Sequence, residues 1–400
     1  MSSLLEGVRV IDLTNVLAGP FCGFQLALLG AEVIKVEVPG AGDLARQFGM
    51  DPELSSKGMG TGFLAQNAGK KSITLNLKSP EGKEAFRRLV KTADVVLENF
   101  RPGVMDRLGC GYEALKEIKP DLVYCAVSGF GQDGPWRNKP AYDQIIQGLS
   151  GIMSVTGDDQ SAPLRVGFPV CDTIGGLTAA FAVCAALFRR SVSGEGQFAD
   201  VSLIESTLVT MGWAVANYLI TGKKPKPSGN ENITASPSGL FKTSHGEINI
   251  SANTQDQFVT LCRLIGRPDL SADDRFSSRT ARMANRATLK DEIEDALVED
   301  TAEHWEERLN AEGVPSGRVM TVPDILKHPH IQERNFLRTL PRVPGIDRDI
   351  TVSRSGFRLS GGDPTVDTPP PLLGQHNDEI FAELGFSQEE IEVLKGSAAR

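Results

Sequence analysis

Residues 8–36, VRVIDLTNVLAGPFCGFQLALLGAEVIKV, alternate between two kinds of hydrophobic pattern. Val8–Leu13 is a short β-branched run that is typical of a strand, and Phe21–Leu29 has the spacing of a helix that ends at Gly30. Val33–Val36 is a second strand run. The alternation continues with a helix that starts at Ser79, Pro80 and Glu81 and with strands at residues 95–97 and 122–127. This order predicts an α/β fold, in which a Rossmann-like, doubly wound parallel sheet is covered on both faces.

A polar segment rich in proline and glycine, GKKPKPSGN at residues 222–230, interrupts the pattern. Such segments are typical of domain boundaries. We therefore predict a large domain of residues 1–222, rejoined by residues 331–400, and a smaller α/β domain of residues 223–330. Within the smaller domain, residues 246–250 are predicted to form a strand.

The composition is that of a globular protein and argues against several classes of function. The 400 residues carry a formal net charge of -9, which argues against a nucleic-acid partner. Six scattered cysteines predict reduced thiols and a cytoplasmic location, and five histidines show no spacing for a metal site. Neither a signal peptide nor a membrane span is expected, since the longest apolar stretch, Thr178–Phe188, is much shorter than about 20 residues. The segment GAGDLA at residues 40–45 has dinucleotide-binding spacing, but it follows the second strand, which argues against a nicotinamide cofactor.

Asp172 is the first candidate for a catalytic side chain. It lies in FPVCDTIGGL, residues 168–177, directly before the apolar run Thr178–Phe188. A carboxylate there can be a plain N-cap, and the helix N-terminus favours its ionised form. It can also be a nucleophile, because free backbone N–H groups could hold the oxyanion that forms when it attacks a carbonyl. The adjacent Cys171 has no neighbouring base in the sequence, so we interpret it as a small buried residue.

A series of ordered motifs along the chain resembles one protein family. The motifs are LAGP (17–20), LGAEVIKVE (29–37), GD (42–43) with Arg46, KKSITLNLK (70–78), ENFRPG (98–103), DRLG (106–109), GFGQDGP (129–135), AYD (141–143), Asp172 and LLGQH (372–376). Together they are similar to the class III coenzyme A transferases, the CaiB/BaiF family, over nearly the whole chain.

The resemblance implies roles for particular residues. Asp172 matches the aspartate that attacks an acyl-CoA thioester, giving first an aspartyl mixed anhydride and then an aspartyl-CoA thioester. Coenzyme A and acyl-CoA would be substrates, with no tightly bound cofactor and no metal. By the same resemblance, Leu75, Lys78, Asn99 and Arg107 would bind coenzyme A, and Asn15, Leu17, Tyr142 and Asp143 would contact the acyl or acid substrate. Lys78 and Arg107 have the chemistry that binds phosphates.

Three departures from the formyl-CoA:oxalate enzymes indicate the substrate. Those enzymes carry a histidine, a glutamine and an arginine where this chain has Asn15, Leu17 and Val38. The apolar Leu17 argues against oxalate. The segments around Leu17 and Tyr142 are more similar to transferases that use succinyl-CoA as donor and a C4–C5 dicarboxylic acid, such as itaconate, mesaconate, malate, citramalate or glutarate, as acceptor.

Two other functions remain open. A 2-methylacyl-CoA racemase of the same fold needs a histidine where this chain has Tyr142, and an unperturbed tyrosine is a poor base at neutral pH. An acyl-CoA-binding protein without catalysis would not need Asp172. The resemblance also implies an interlocked, intertwined homodimer, and a flexible loop over the active site at residues 235–239.

Overall fold

The alternating strands and helices form a six-stranded parallel sheet in this computed structural model, which describes residues 3–396. The chain divides into two units. Of the described residues, the large unit contains 3–152, 165–223 and 330–396, and the small unit contains 153–164 and 224–329.

The elements of the large unit up to residue 221 carry the sheet. In chain order they are β1 (Arg9–Asp12), α1 (Ala18–Leu28), β2 (Glu32–Glu37), a 3-10 turn (Leu44–Gln47), α2 (Pro52–Ser56), α3 (Thr61–Leu64), β3 (Lys70–Thr74), α4 (Pro80–Thr92), β4 (Val95–Glu98), α5 (Val104–Leu108), α6 (Tyr112–Ile118), β5 (Val123–Ser128), α7 (Asp143–Leu149), α8 (Val170–Ser193), β6 (Gln197–Ser202), α9 (Leu203–Thr210) and α10 (Trp213–Thr221). The strand order is β3-β2-β1-β4-β5-β6, and every neighbouring pair is parallel. This order is that of a doubly wound sheet. The predicted α/β, Rossmann-like fold is confirmed.

Alternate residues of the strands enter two separate cores. Val10, Val33 and Val95 pack with α1 and α8 on one face of the sheet. Ile11 and Ile34 pack on the other face with α4 and α6. Because both faces are covered, β4 and β5 are buried at every position, which explains why their sequences lack the polar alternation of a half-exposed strand.

Two strands, β3 and β6, were not predicted. β3 is the edge strand of the sheet, and the polar residues of its sequence, KKSIT, hide the fact that most of it is buried. The side chain of Lys70 is nonetheless fully buried, because its Nζ lies 2.8 Å from Oδ2 of Asp12. A buried charge needs such a partner, and a partner 58 residues away in the sequence cannot be read from local pattern.

The small unit contains a three-stranded antiparallel sheet and several helices. Its elements are β7 (Ser238–Lys242), β8 (Glu247–Ser251), α11 (Gln255–Leu264), α12 (Asp269–Ala272), α13 (Arg279–Ala284), α14 (Arg286–Leu297), α15 (Ala302–Ala311), β9 (Ser316–Arg318) and α16 (Val322–Lys327). Phe241 and Ile248 from the sheet pack against Phe258 and Trp305 from the helices. The segment predicted as a flexible loop differs, since Ala235, Ser236 and Ser238 are buried and the last of these begins β7.

The C-terminal segment belongs to the large unit. It contains α17 (Pro329–Glu333), β10 (Leu337–Leu340), β11 (Ile350–Ser353), α18 (Asn377–Glu383) and α19 (Gln388–Gly396). The Asn377 side chain accepts a hydrogen bond from the backbone N–H of Thr74 at 2.8 Å, and His376 N–H donates to the carbonyl of Ser72 at 2.9 Å. The tail is thereby fastened to the end of β3.

Candidate active site

A cavity of about 290 Å³ opens at the carboxyl ends of the parallel strands. Its walls come from the loops that follow β1, β4 and β5 and from the first residues of α8 and α9. The lining residues are Asn15, Val16, Leu17, Ala18, Asn99, Phe100, Arg101, Val127, Ser128, Gly129, Pro140, Ala141, Tyr142, Asp172 and Leu203. Ligands of doubly wound sheets bind at this edge, which makes the cavity the candidate active site.

Asp172 lies in the first turn of α8, as its third residue, and only 8% of it is exposed. The helix begins at Val170, so Asp172 is not the N-cap that one interpretation of the sequence allowed. The two glycines that follow let the helix approach its neighbours closely. A Cβ at Gly175 would lie 2.1 Å from Cδ2 of Leu203, and one at Gly176 would lie 2.5 Å from the carbonyl oxygen of Ala18.

Asp143 caps the helix that carries Asp172. Its Oδ1 accepts hydrogen bonds from the backbone N–H groups of Cys171, at 2.8 Å, and of Asp172, at 3.3 Å. Its Oδ2 accepts from Gln147 Nε2 at 2.7 Å, and a guanidinium nitrogen of Arg165 lies 3.8 Å away. The first N–H groups of α8 are therefore already bonded and are not the free oxyanion donors expected from the sequence.

Burial, followed by the charge of Asp143, raises the pKa of Asp172 to about 7. The helix N-terminus was expected to favour the ionised form of Asp172, but burial and the Asp143 carboxylate at that N-terminus act in the opposite direction and raise its pKa. At neutral pH the protonated and ionised forms of Asp172 are both populated. Burial also raises the pKa of Cys171 to about 11, so this thiol stays protonated, as expected for a small buried residue.

The loop between β1 and α1 forms another part of the cavity wall. Asn99 holds it, since its Oδ1 accepts from the backbone N–H of Asn15 at 2.9 Å and its Nδ2 donates to the Asn15 carbonyl at 2.8 Å. Val16 has a φ of +70°, which is rare for a β-branched residue. Helix α1 then begins at Ala18 without a side-chain cap at Leu17, so backbone N–H donors remain at its first turn.

The structure brings only some of the predicted site residues together. Asn15, Leu17, Asn99, Tyr142 and Asp172 line the cavity. Asp143 lies behind Asp172 as its cap and does not line the cavity.

Three predicted coenzyme A residues lie elsewhere. Leu75 is 2% exposed and packs in the core under α4. Lys78 and Arg107 are exposed, after β3 and in α5, and neither lines the cavity. An exposed cation remains available to a phosphate, whereas the Leu75 side chain cannot contact a ligand in this arrangement.

Arg101 is a site residue that the sequence interpretation did not select. Apart from Asp172, it is the one charged residue among those lining the cavity. It follows β4 within the ENFRPG motif, so its place after a predicted strand was the signal that could have identified it. Within residues 3–396, no group of three or more His, Cys, Asp or Glu side chains is arranged to hold a metal ion.

Comparisons with known proteins identify the family. A family model described as CoA-transferase family III matches residues 5–377. The chain is 37% identical over 393 residues to a succinyl-CoA–D-citramalate CoA-transferase of Chloroflexus aurantiacus, covering 98% of this chain and 96% of the relative. It is 41% identical over 333 residues to an acetyl-CoA:oxalate CoA-transferase of Acetobacter aceti, covering 83% and 85%.

A solved structure agrees with these matches. A CaiB/BaiF family protein of Brucella suis has a TM-score of 0.84 and 36% identity, and the match covers 96% of this chain and 100% of that chain. The six-stranded parallel fold and the matches over nearly the full length show that this chain belongs to the class III coenzyme A transferases, the CaiB/BaiF family, and is a CoA-transferase.

Proposed function

We propose that the protein moves coenzyme A from succinyl-CoA to a C4–C5 dicarboxylic acid through covalent intermediates on Asp172. The observation that carries the proposal is that Asp172 is the one carboxylate among the residues lining the cavity. It is held by a capped helix and has a pKa near 7, so an ionised nucleophile is available at neutral pH.

The reaction proceeds in four acyl-transfer steps. A carboxylate oxygen of Asp172 attacks the thioester carbonyl, the C–S bond breaks, and a mixed anhydride and the CoA thiolate form. The thiolate attacks the carboxyl carbon of Asp172, so that succinate leaves and an aspartyl-CoA thioester remains. The acceptor carboxylate then displaces the thiolate and forms a second anhydride. In the last step the thiolate attacks the acceptor's carbonyl, which gives the new acyl-CoA and the free aspartate.

The first turn of α1 suits the oxyanions that form in these steps. Leu17 and Ala18 line the same cavity as Asp172, and α1 has no side-chain cap. The uncapped N–H groups of an α-helix carry partial positive charge and can donate to an oxygen that becomes negative. They replace the donors at α8, which are bonded to Asp143.

For coenzyme A, we propose that the exposed cations Lys78 and Arg107 bind the phosphates. Both follow strands whose carboxyl ends lie at the edge that forms the cavity. Asn99 lines the cavity, and both ends of its amide are bonded to the backbone of Asn15. Its contribution is to hold the cavity wall.

The C4–C5 acceptor is supported by the similarity to the citramalate enzyme and by the apolar Leu17 in the cavity wall. A carboxylate of the acceptor must reach Asp172, and the second can pair with Arg101. The oxalate enzyme of Acetobacter aceti shows that a relative of comparable identity uses a shorter acid, so oxalate belongs in any test.

The test is product analysis by mass spectrometry after incubation with succinyl-CoA and a panel of acids. The panel contains citramalate, mesaconate, itaconate, malate, glutarate and oxalate. A new acyl-CoA with one C4–C5 acid, absent with Asp172→Ala and present with the exposed control Asp133→Ala, is the expected result. Transfer to oxalate alone would overturn the acceptor, and deuterium uptake at C2 of a 2-methylacyl-CoA without any transfer would indicate a racemase.

We further propose that a second copy of the chain covers an apolar surface formed by α8, α9 and α10. Phe181 is 76% and Trp213 is 79% exposed, and Phe188, Val209 and Ile220 are also exposed. By length and composition α8 could cross a membrane, but 44% of its apolar 18-residue stretch is buried inside the protein. A helix with one side in a core and the other apolar suits a subunit interface, and the family resemblance supports an interlocked homodimer.

Sedimentation of wild type and Phe181→Asp tests this interface. The wild type is expected to sediment as a dimer and the variant as a smaller or aggregated species, whereas Val298→Asp, a change at an exposed valine of the small unit, leaves the dimer intact. A monomeric wild type, or an intact dimer in Phe181→Asp, would contradict the proposed interface.

A further inference from the structure

Four buried charged side chains bond to the backbone of residues 14–20, a segment whose residues 15–18 line the cavity. They form two ion pairs, Asp12–Lys70 with Oδ2 and Nζ 2.8 Å apart and Lys35–Asp43 with Nζ and Oδ2 2.9 Å apart. All four side chains are completely buried. Burial raises the pKa of Asp43, but the charge of Lys35 and the hydrogen bonds from Val16 N–H, Lys35 and Ala45 N–H together lower it below its ordinary value, so Asp43 is a carboxylate in the folded protein.

Two members of this quartet bond to the backbone of the loop between β1 and α1. Oδ1 of Asp43 accepts from the N–H of Val16 at 3.0 Å. Nζ of Lys35 donates to the carbonyl of Thr14 at 2.7 Å. Lys35 lies in β2 and Asp43 follows β2, whereas their partners lie in the loop between β1 and α1. Both bonds are therefore tertiary contacts.

The other pair holds the two ends of the same loop. Oδ1 of Asp12 accepts from the N–H of Thr14 at 2.9 Å, and Nζ of Lys70 donates to the carbonyl of Pro20 in the first turn of α1 at 2.9 Å. With the two bonds from Asn99 to Asn15, the backbone of residues 14–16 is held by side chains from four different segments.

This backbone would not keep its shape unaided. Val16 has a φ of +70°, a strained conformation for a β-branched residue that persists only where surrounding contacts impose it. Val16 lines the cavity, and Leu17 and Ala18, which carry the proposed oxyanion donors, follow it directly. The position of those donors therefore depends on the bond from Asp43 to Val16.

Stability alone is a poor reason for this arrangement. Replacing buried ion pairs by apolar side chains of similar volume is often neutral or stabilising, so such pairs are weak contributors to folding. Here each charged group has a second partner within residues 14–20, and residues 15–18 of that segment line the same cavity as the nucleophile. Because the hydrogen bonds of all four side chains reach the same segment, we infer that they serve the cavity that this segment lines.

We propose that Asp43 and Lys35 are positioning residues, which hold the strained Val16 peptide and thereby place the first N–H groups of α1 for acyl transfer. The inference rests on the proposed function of Asp172. Neither residue touches substrate. Their effect reaches the reaction through the backbone of residues 14–18.

The test compares Asp43→Ala with Asp43→Asn in the transfer assay. Asparagine retains an acceptor oxygen for the Val16 N–H, whereas alanine removes it. A misplacement of about 1 Å costs about 100-fold, so we expect Asp43→Ala to lose about that factor in kcat with little change in KM for succinyl-CoA. Asp43→Asn is expected to recover the larger part of the lost kcat.

Arg354→Met is the matched control for the loss of a buried charge. Arg354 is 6% exposed and its guanidinium donates to the backbone carbonyls of residues 334, 335, 355 and 357, none of which lines the cavity. Unfolding temperatures are measured for all variants. The control is expected to lose stability while keeping its kcat.

The outcomes separate the two proposals. If Asp43→Ala keeps the wild-type kcat, or if kcat falls in all three variants in proportion to lost stability, positioning is wrong. If wild type transfers coenzyme A to no acid, the proposed function itself fails. Should Asp43→Ala not fold, the double variant Lys35→Met/Asp43→Leu replaces the pair by apolar groups of similar volume, and the same loss of kcat is expected.

Discussion

Replacing the proposed nucleophile should stabilise the protein above neutral pH. The pKa of Asp172 is about 7 in the folded protein, against 3.8 for an ordinary aspartate. The folded state therefore binds this proton more tightly than the unfolded state, and stability is lost as the pH rises from about 4 through 7. The difference of roughly three pH units corresponds, at about 1.36 kcal/mol per unit, to about 4 kcal/mol at pH 8. Asp172→Asn has nearly the same volume and cannot ionise, so it avoids this loss.

The assay is urea unfolding of wild type and Asp172→Asn at half-unit steps from pH 4.5 to pH 8.5. We expect the variant to be more stable by up to about 4 kcal/mol at pH 8, and the advantage to shrink toward zero near pH 4. Asp133→Asn, which changes an exposed aspartate, should follow wild type at every pH.

An Asp172→Asn variant that is equal to or less stable than wild type at pH 8 would refute the reasoning. Such a result would mean that Asp172 is well solvated or paired in the folded protein. A constant difference at all pH values would also contradict it, because only a titrating group gives a difference that grows with pH.

The same geometry leads to three further predictions. Below about pH 7, kcat/KM of the wild type should fall tenfold per pH unit as Asp172 is protonated. In Asp143→Asn this fall should begin at lower pH, because the neighbouring negative charge that raises the pKa of Asp172 is gone. Profiles of kcat/KM against pH for both proteins check this. Gly176→Ala should lower stability by about 1–3 kcal/mol in urea unfolding, since its Cβ would lie 2.5 Å from the rigid carbonyl of Ala18. Arg101→Met should raise KM for one anionic substrate by roughly 10- to 100-fold, the value of a charge-assisted hydrogen bond, and unchanged KM values for both substrates would exclude that contact.

Much of the fold could be predicted because its signals are local. The apolar runs of β1, β2, β4 and β5 are fully buried strands, and each could be recognised without knowing its neighbours. β3 could not, because its lysine is stabilised by Asp12, a contact that exists only after the sheet has formed. The hydrophobic pattern of a segment predicts a buried strand when the segment's own side chains are apolar. It fails when a charged side chain is buried because a distant residue pairs with it.

In the candidate site, too, some features could be predicted from local sequence and others depend on distant residues. Asp172 was selected because an acidic residue precedes a long apolar helix, and the structure places it in the cavity wall. Its raised pKa could not be predicted, since both the burial of Asp172 and the nearby charge of Asp143 on another helix arise only from the tertiary structure. Leu75 was selected by resemblance, but its side chain lies in the core, and only the packing of α4 against the sheet shows this.

The tail that returns to β3 has a consequence for how the chain is made. The bonds between Asn377 and Thr74 join residues 303 positions apart, and all of the small unit lies between them. A ribosome releases the small unit before the residues that complete the large one. The edge strand β3 of the nascent large unit therefore stays uncovered until the C-terminal segment has been synthesised. Premature termination between the small unit and Asn377 would thus yield a protein that has its nucleophile but lacks the contacts that cover the edge of its sheet.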